Sequence, residues 1–127
     1  MTSRLITPKL AEQLKQYPLY SQDGKKKDAI CQCVFFLGNL RWYVLEGQPE
    51  GDDFTLFAIV VGFAETEYGY ASIKEMESIN LEVAPNLPKI PILQDMTFKP
   101  CPIENIPMQN IYFPTQNIQS CLKISCL

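Results

Sequence analysis

The run Asp52 to Ile79, DDFTLFAIVVGFAETEYGYASIKEMESI, constrains the fold more than any other part of the chain. From Leu56 to Val61 every position is apolar, so a strand there, with its side chains alternating between faces, presents apolar groups on both sides and needs cover on both. The spacing predicts a central strand over Phe54 to Phe63, a turn over Ala64 to Glu67 and a short strand over Tyr68 to Ala71. Ser72-Ile73-Lys74-Glu75 then has capping-box spacing: the serine oxygen accepts from the Glu75 amide while the glutamate reaches back. Ile73, Met76 and Ile79 recur at helical spacing, which marks the buried face of a helix.

Upstream, Thr7-Pro8 is a helix start, because threonine caps free amides and proline suits the first helical position. Pro18 closes that helix, giving Pro8 to Tyr17 with Leu10 and Leu14 on one face. Leu19 to Asp28 reads as a polar loop carrying the lysines Lys25, Lys26 and Lys27. Ala29 to Leu37 and Leu40 to Glu46 are strand-like and flank Gly38-Asn39, which predicts a hairpin, with Gly47 to Asp53 as a loop after it. Pro85, Pro88 and Pro91 make an extended connector, and Met96 to Lys99 is a candidate fifth strand. The fold class expected is α+β: an antiparallel sheet of four or five strands, an N-terminal helix, a short helix after the fourth strand, and helices covering one face. Residues 1–106 are expected to form one domain, since 127 residues fit a single core, and residues 107–127 a C-terminal extension rich in Gln, Asn and Ser.

Certain functions are excluded by residue type. With no histidine in the chain, neither a Ser-His-Asp nor a Cys-His arrangement can be built. Phosphate-loop, dinucleotide and zinc-hydrolase motifs are absent as well. The cysteines at 31, 33, 101, 121 and 126 are odd in number and irregularly spaced, unlike a disulfide framework. In a continuous strand Cys31 and Cys33 point the same way, and buried thiols are the reading preferred over zinc ligands. No cofactor is expected. The N-terminus lacks an apolar core beside a cleavage site, and the longest apolar run, Phe57 to Ala64, is too short to span a bilayer, so a cytoplasmic protein without membrane contact is expected.

Four segments in order, PLYSQDG at Pro18 to Gly24, CVFFLGNLRWYVLEG at Cys33 to Gly47, DDFTLFAIVVGF with ETEYGYASIKEMESI, and LQDMTFKPCPI at Leu93 to Ile103, resemble the bacterial domain of unknown function 2958 family. The resemblance covers about residues 5 to 106. It implies a small accessory protein of the kind carried by plasmids, conjugative elements and phages, and it implies no reaction.

Charge is the sharpest functional signal in the residues themselves. Nine carboxylates and one base, Lys74, lie between Glu46 and Glu82, a local charge of −8, whereas the remainder carries ten bases and five acids. Such a field steers basic partners or mimics phosphates, and its ordinary counterpart is a set of solvated turns and helix faces. Glu50, Asp52, Asp53, Glu65 and Glu67 are the candidate contact acids, with Tyr68 and Trp42 as candidate anchors. Tyr43 and Tyr70 belong to the same set of aromatics, for each of which core packing is the plain alternative.

The function expected is a non-enzymatic, protein-binding accessory module, in its narrowest form a mobile-element product that inhibits a host defence complex of CRISPR or restriction type. The partner expected is a protein, a basic nucleic-acid-binding complex, with no direct nucleic-acid contact. Two alternatives stand beside it. One is a small metal-dependent enzyme acting on nucleic acid or nucleotide, with Asp52 and Asp53 as ligands. The other is a homo-oligomer subunit that docks through the apolar tail, Ile111 to Phe113 and Ile118 to Leu127.

Overall fold

Thr7 caps the first helix as its type requires: its hydroxyl accepts from the Leu10 amide at 3.2 Å, with Pro8 in the first turn. In the computed structural model, which describes residues 3–62 and 66–107, this helix, α1, spans Pro8–Leu14 and buries Leu10 and Leu14. Among the described residues nine strands follow: β1 (Ile30–Cys31), β2 (Cys33–Leu37), β3 (Leu40–Glu50), β4 (Asp53–Val61), β5 (Glu67–Ser72), β6 (Asn80–Leu81), β7 (Ile90–Pro91), β8 (Leu93–Gln94) and β9 (Cys101–Pro102). The second helix, α2, covers Ile73–Ser78 directly after β5.

The main sheet is antiparallel and five-stranded, in the order β5-β4-β3-β2-β8. The fold is thus α+β, with the N-terminal helix and the short helix after the fourth long segment where the sequence placed them. Two small ladders flank it, β6 with β7 and β1 with β9.

The sheet is covered on both faces, as the apolar run in β4 requires. On one face Phe35, Trp42, Val44, Leu56 and Ala58 pack against Leu10 and Leu14 of α1 and Ile73 and Met76 of α2. Gly47 allows this approach, because a Cβ there would stand 2.9 Å from Leu56 and Phe54 carbons and 3.2 Å from Leu14. On the other face Val34, Leu45, Ile59 and Val61 pack under Ala29, Cys31, Ile103 and Ile106, so a loop and a C-terminal strap replace helices there.

Five details differ from the sequence reading, two of them at helix ends: α1 stops at Leu14 and not at Tyr17, and α2 stops at Ser78, leaving Ile79 outside the buried stripe at 41% exposure. The strand β3 runs on to Glu50, pairing Glu50 with Asp53, so most of Gly47 to Asp53 is hairpin and only its tip turns. The fifth strand of the sheet is Leu93–Gln94 and not Met96 to Lys99; Asp95 bends the chain by accepting from the Thr97 amide and hydroxyl at 3.0 and 2.6 Å. Cys31 and Cys33 lie in different cores, because the strand breaks at Gln32 between β1 and β2. Ala64, Glu65 and the tail from Met108 onward, with the expectations placed on them, lie outside the described residues.

Candidate functional site

A bulge in β3 builds the most distinctive feature of the second face. Val44 pairs with Ala58 and Glu46 with Phe57, leaving Leu45 as an extra residue, which brings both Leu45 and Glu46 to the face of Phe57. Glu46 is thereby buried, at 2% exposure. Its two oxygens are both used: Oε1 accepts from the Tyr20 amide at 2.7 Å and Oε2 from the Gln22 amide at 2.8 Å. Gln22, buried as well, completes the attachment by donating from Nε2 to the carbonyls of Ile30 and Leu45, each at 2.8 Å, while its Oε1 accepts from the Ile30 amide at 2.6 Å. A glutamate and a glutamine therefore tie the Tyr17 to Asp28 loop to the sheet.

That attachment holds Tyr20 at a φ of +74°, a left-handed conformation that costs a non-glycine residue about 1–2 kcal/mol. A hydrogen bond to a carboxylate contributes about 1.5–3 kcal/mol, enough to offset the strain. The result is an outward ring: Tyr20 is 63% exposed, and its centroid lies 6.4 Å from that of Tyr70 at 60°. Tyr68 and Tyr70 alternate with Gly69 along β5 and so share this face, at 52% and 57% exposure. Phe57 on β4 supports both, with centroids 5.8 Å from Tyr68 and 5.0 Å from Tyr70. A hydrogen bond with Tyr20 pushes the Tyr70 hydroxyl above its ordinary pKa, and burial and the charges of Asp23 and Glu46 add to it.

The loop meets the tyrosines along two cavities. One, of about 280 Å³, lies among Gln22, Gly24, Lys26, Glu46, Phe57 and Tyr68; the other, of about 490 Å³, is bounded by Lys25 to Lys27, Ile59, Tyr68 and Ile103. Chemically this is a stacking and cation–π surface with a mixed-charge rim, and it contains no nucleophile paired with a base.

The sequence-derived candidates divide between this surface and other places. Tyr68 lies in it; Glu67, exposed and paired with Val60 of the helix-side face, projects from the opposite side of β5. Trp42 does not: at 5% exposure it is packed in the helix-side core, because its register partner Val60 and its neighbour Phe35 put it on that face. Glu50 and Asp52 are exposed at the β3–β4 tip, at the opposite end of β4 from Glu67, seven residues or roughly 23 Å away. Asp52 forms an ion pair with Lys74 at 2.6 Å. Asp53 joins the helix cap from the neighbouring strand: it accepts from the Ser72 hydroxyl, from the Lys74 amide at 3.1 Å and from its neighbour Phe54 at 2.7 Å. Ser72 in turn accepts from the Glu75 amide at 3.2 Å, so the serine half of the capping box holds. The Ser72 hydroxyl holds the Asp53 carboxyl below the usual range, and Lys74 does the same for Asp52.

Among the described residues no group of three or more His, Cys, Asp or Glu is arranged to hold a metal ion, and no helix is long and apolar enough to cross a membrane. Tyr20, Phe57 and Glu46 were not singled out by sequence reasoning. A single glutamate in an acidic stretch gives no sign that a bulge will turn it inward.

The family model described as protein of unknown function (DUF2958) matches residues 5–105. The chain belongs to the DUF2958 family. No curated protein and no solved structure matches it. The DUF2958 match contains every residue of the tyrosine surface and of the Glu46–Gln22 attachment.

Proposed function

We propose that this DUF2958 chain is a non-enzymatic binding module that acts through a protein partner in the cytoplasm, with Tyr20, Tyr68 and Tyr70 as its anchors. One observation carries the reading: a strained backbone and a buried carboxylate are maintained to hold a tyrosine in solvent, beside two more exposed tyrosines on a supported strand. Rigid, partly exposed tyrosines supply large contact area at small entropic cost, which is what interface anchors need. Asp23, exposed near Tyr70, favours a partner that presents arginine, whose guanidinium stacks on tyrosine and pairs with carboxylates. Glu50 and Asp52 form a separate acidic tip.

The narrower form, a mobile-element accessory that blocks a host defence complex, draws on the resemblance to proteins of plasmids and phages and on the acidic stretch. The experiment is affinity capture of the tagged chain from a bacterial lysate, in parallel with Asp23→Lys and with the Glu50→Lys/Asp52→Lys pair. A stoichiometric protein lost with Asp23→Lys and kept with the tip variant supports the reading. Loss with the tip variant alone moves the contact to the hairpin end, and capture of nucleic acid without protein refutes it.

A further inference from the structure

We propose that Cys31 and Cys101 form a redox pair that peroxide closes to a disulfide, Cys101 being oxidised first and Cys31 resolving it. The two residues are direct partners in the β1–β9 ladder. The Ile103 amide donates to the Ala29 carbonyl at 2.9 Å, and the next pair, Ile30 with Pro102, contains a proline that has no amide to donate. Alternation along an antiparallel ladder makes Cys31 and Cys101 the next hydrogen-bonded pair, with Cα atoms about 5.5 Å apart and side chains on one face. That spacing lies within the range that disulfides adopt, about 4.4–6.8 Å between Cα atoms.

Exposure divides the roles. Cys101 is half-buried and lines a cavity of about 460 Å³ with Arg41, Tyr43, Asp95 and Lys99, through which a small oxidant reaches the sulfur. Cys31 is wholly enclosed. Burial pushes its thiol well up, and the Cys33 and Cys101 thiols beside it push it further, so Cys31 is not the sulfur that peroxide meets first. Cys33 does not compete, since it faces the helix-side core, where burial pushes it up to about 12.

The chemistry balances with hydrogen peroxide as the oxidant. The Cys101 sulfur attacks one peroxide oxygen, the O–O bond breaks, and water leaves behind a sulfenic acid. The Cys31 sulfur then attacks the Cys101 sulfur, the S–O bond breaks, and the departing hydroxide takes the Cys31 proton as a second water. Two thiols lose two electrons and one peroxide gains them. The new bond ties the strap carrying Ile103 and Ile106 to β1, beside the cavity that Ile103 shares with Lys26 and Tyr68.

The test treats the full-length chain with hydrogen peroxide, alkylates, unfolds, and maps the products by mass spectrometry. The native chain, Cys101→Ser and Cys31→Ser are run together. The proposal expects a monomer lighter by about 2 Da with a Cys31–Cys101 linkage, a Tm raised by several degrees, no such linkage in Cys101→Ser, and a sulfenic acid at Cys101 trapped by dimedone in Cys31→Ser. Mapping in the native chain decides the matter even if a variant fails to fold. A linkage through Cys33, Cys121 or Cys126 instead, direct passage of Cys101 to the sulfinic acid, or two unmodified thiols overturns it.

Discussion

Glu46 Oε1 accepts the amide hydrogen of Tyr20 at 2.7 Å, so a residue enclosed in the sheet sets the position of one that stands in solvent. This contact joins the bulge in β3 to the strained turn of the loop, and the tyrosine surface depends on it.

Replacing Glu46 by alanine removes the acceptor of two amides, that of Gln22 buried and that of Tyr20 partly so. An unsatisfied buried donor costs about 1–3 kcal/mol, so Glu46→Ala should lose at least about 1–3 kcal/mol through the Gln22 amide alone. Glu46→Gln should lose less, because it keeps one acceptor oxygen while setting an NH2 group against the other amide. Urea unfolding checks both, as a lower midpoint at unchanged slope.

Trp42 separates core from contact. As part of the helix-side core, Trp42→Ala should cost about 3–5 kcal/mol, whereas an exposed anchor would change stability by less than about 0.5 kcal/mol. Thermal and chemical denaturation of the purified variant distinguish the two.

The cap of α2 was legible in the sequence because Ser72 and Glu75 stand at a spacing fixed by local helix geometry, and Thr7-Pro8 and Gly38-Asn39 were legible for the same reason. The apolar run of β4 likewise announced a strand covered on both faces. Asp53 as partner of that cap was not legible, since it arrives from the neighbouring strand through the register of Thr55 with Ser72. The inward turn of Glu46 depends on a bulge whose only sign is a pairing offset between β3 and β4. Tyr20 reads as an ordinary loop residue until both are known, and β8 is two residues long, too short to carry a periodicity.

Acid should weaken the cap. The hydrogen bond from Ser72 lowers the Asp53 pKa in the folded state, so its contribution is present above the unfolded value of about 4 and is lost as pH falls through the lower folded value. The Tm difference between the native chain and Asp53→Asn should be constant near neutrality and shrink below about pH 4. A difference that persists at lower pH assigns the effect to geometry rather than charge.

Gly47→Ala should destabilise by about 1–3 kcal/mol, since its Cβ meets Leu56 and Phe54 carbons at 2.9 Å on the side where α1 packs. Gly24→Ala is the contrasting case: its Cβ meets nothing within 4 Å, and only the φ of +80° opposes it. Midpoints from urea unfolding rank the two, with Gly47→Ala the larger loss.

The most direct measurement is affinity capture with Tyr20→Ala/Tyr68→Ala/Tyr70→Ala against the native chain, after circular dichroism and Tm show that the variant keeps its fold. The expected result is a folded variant that no longer retains the native chain's protein partner. A folded variant that retains it at native stoichiometry would contradict the assignment of the tyrosine surface as the binding site.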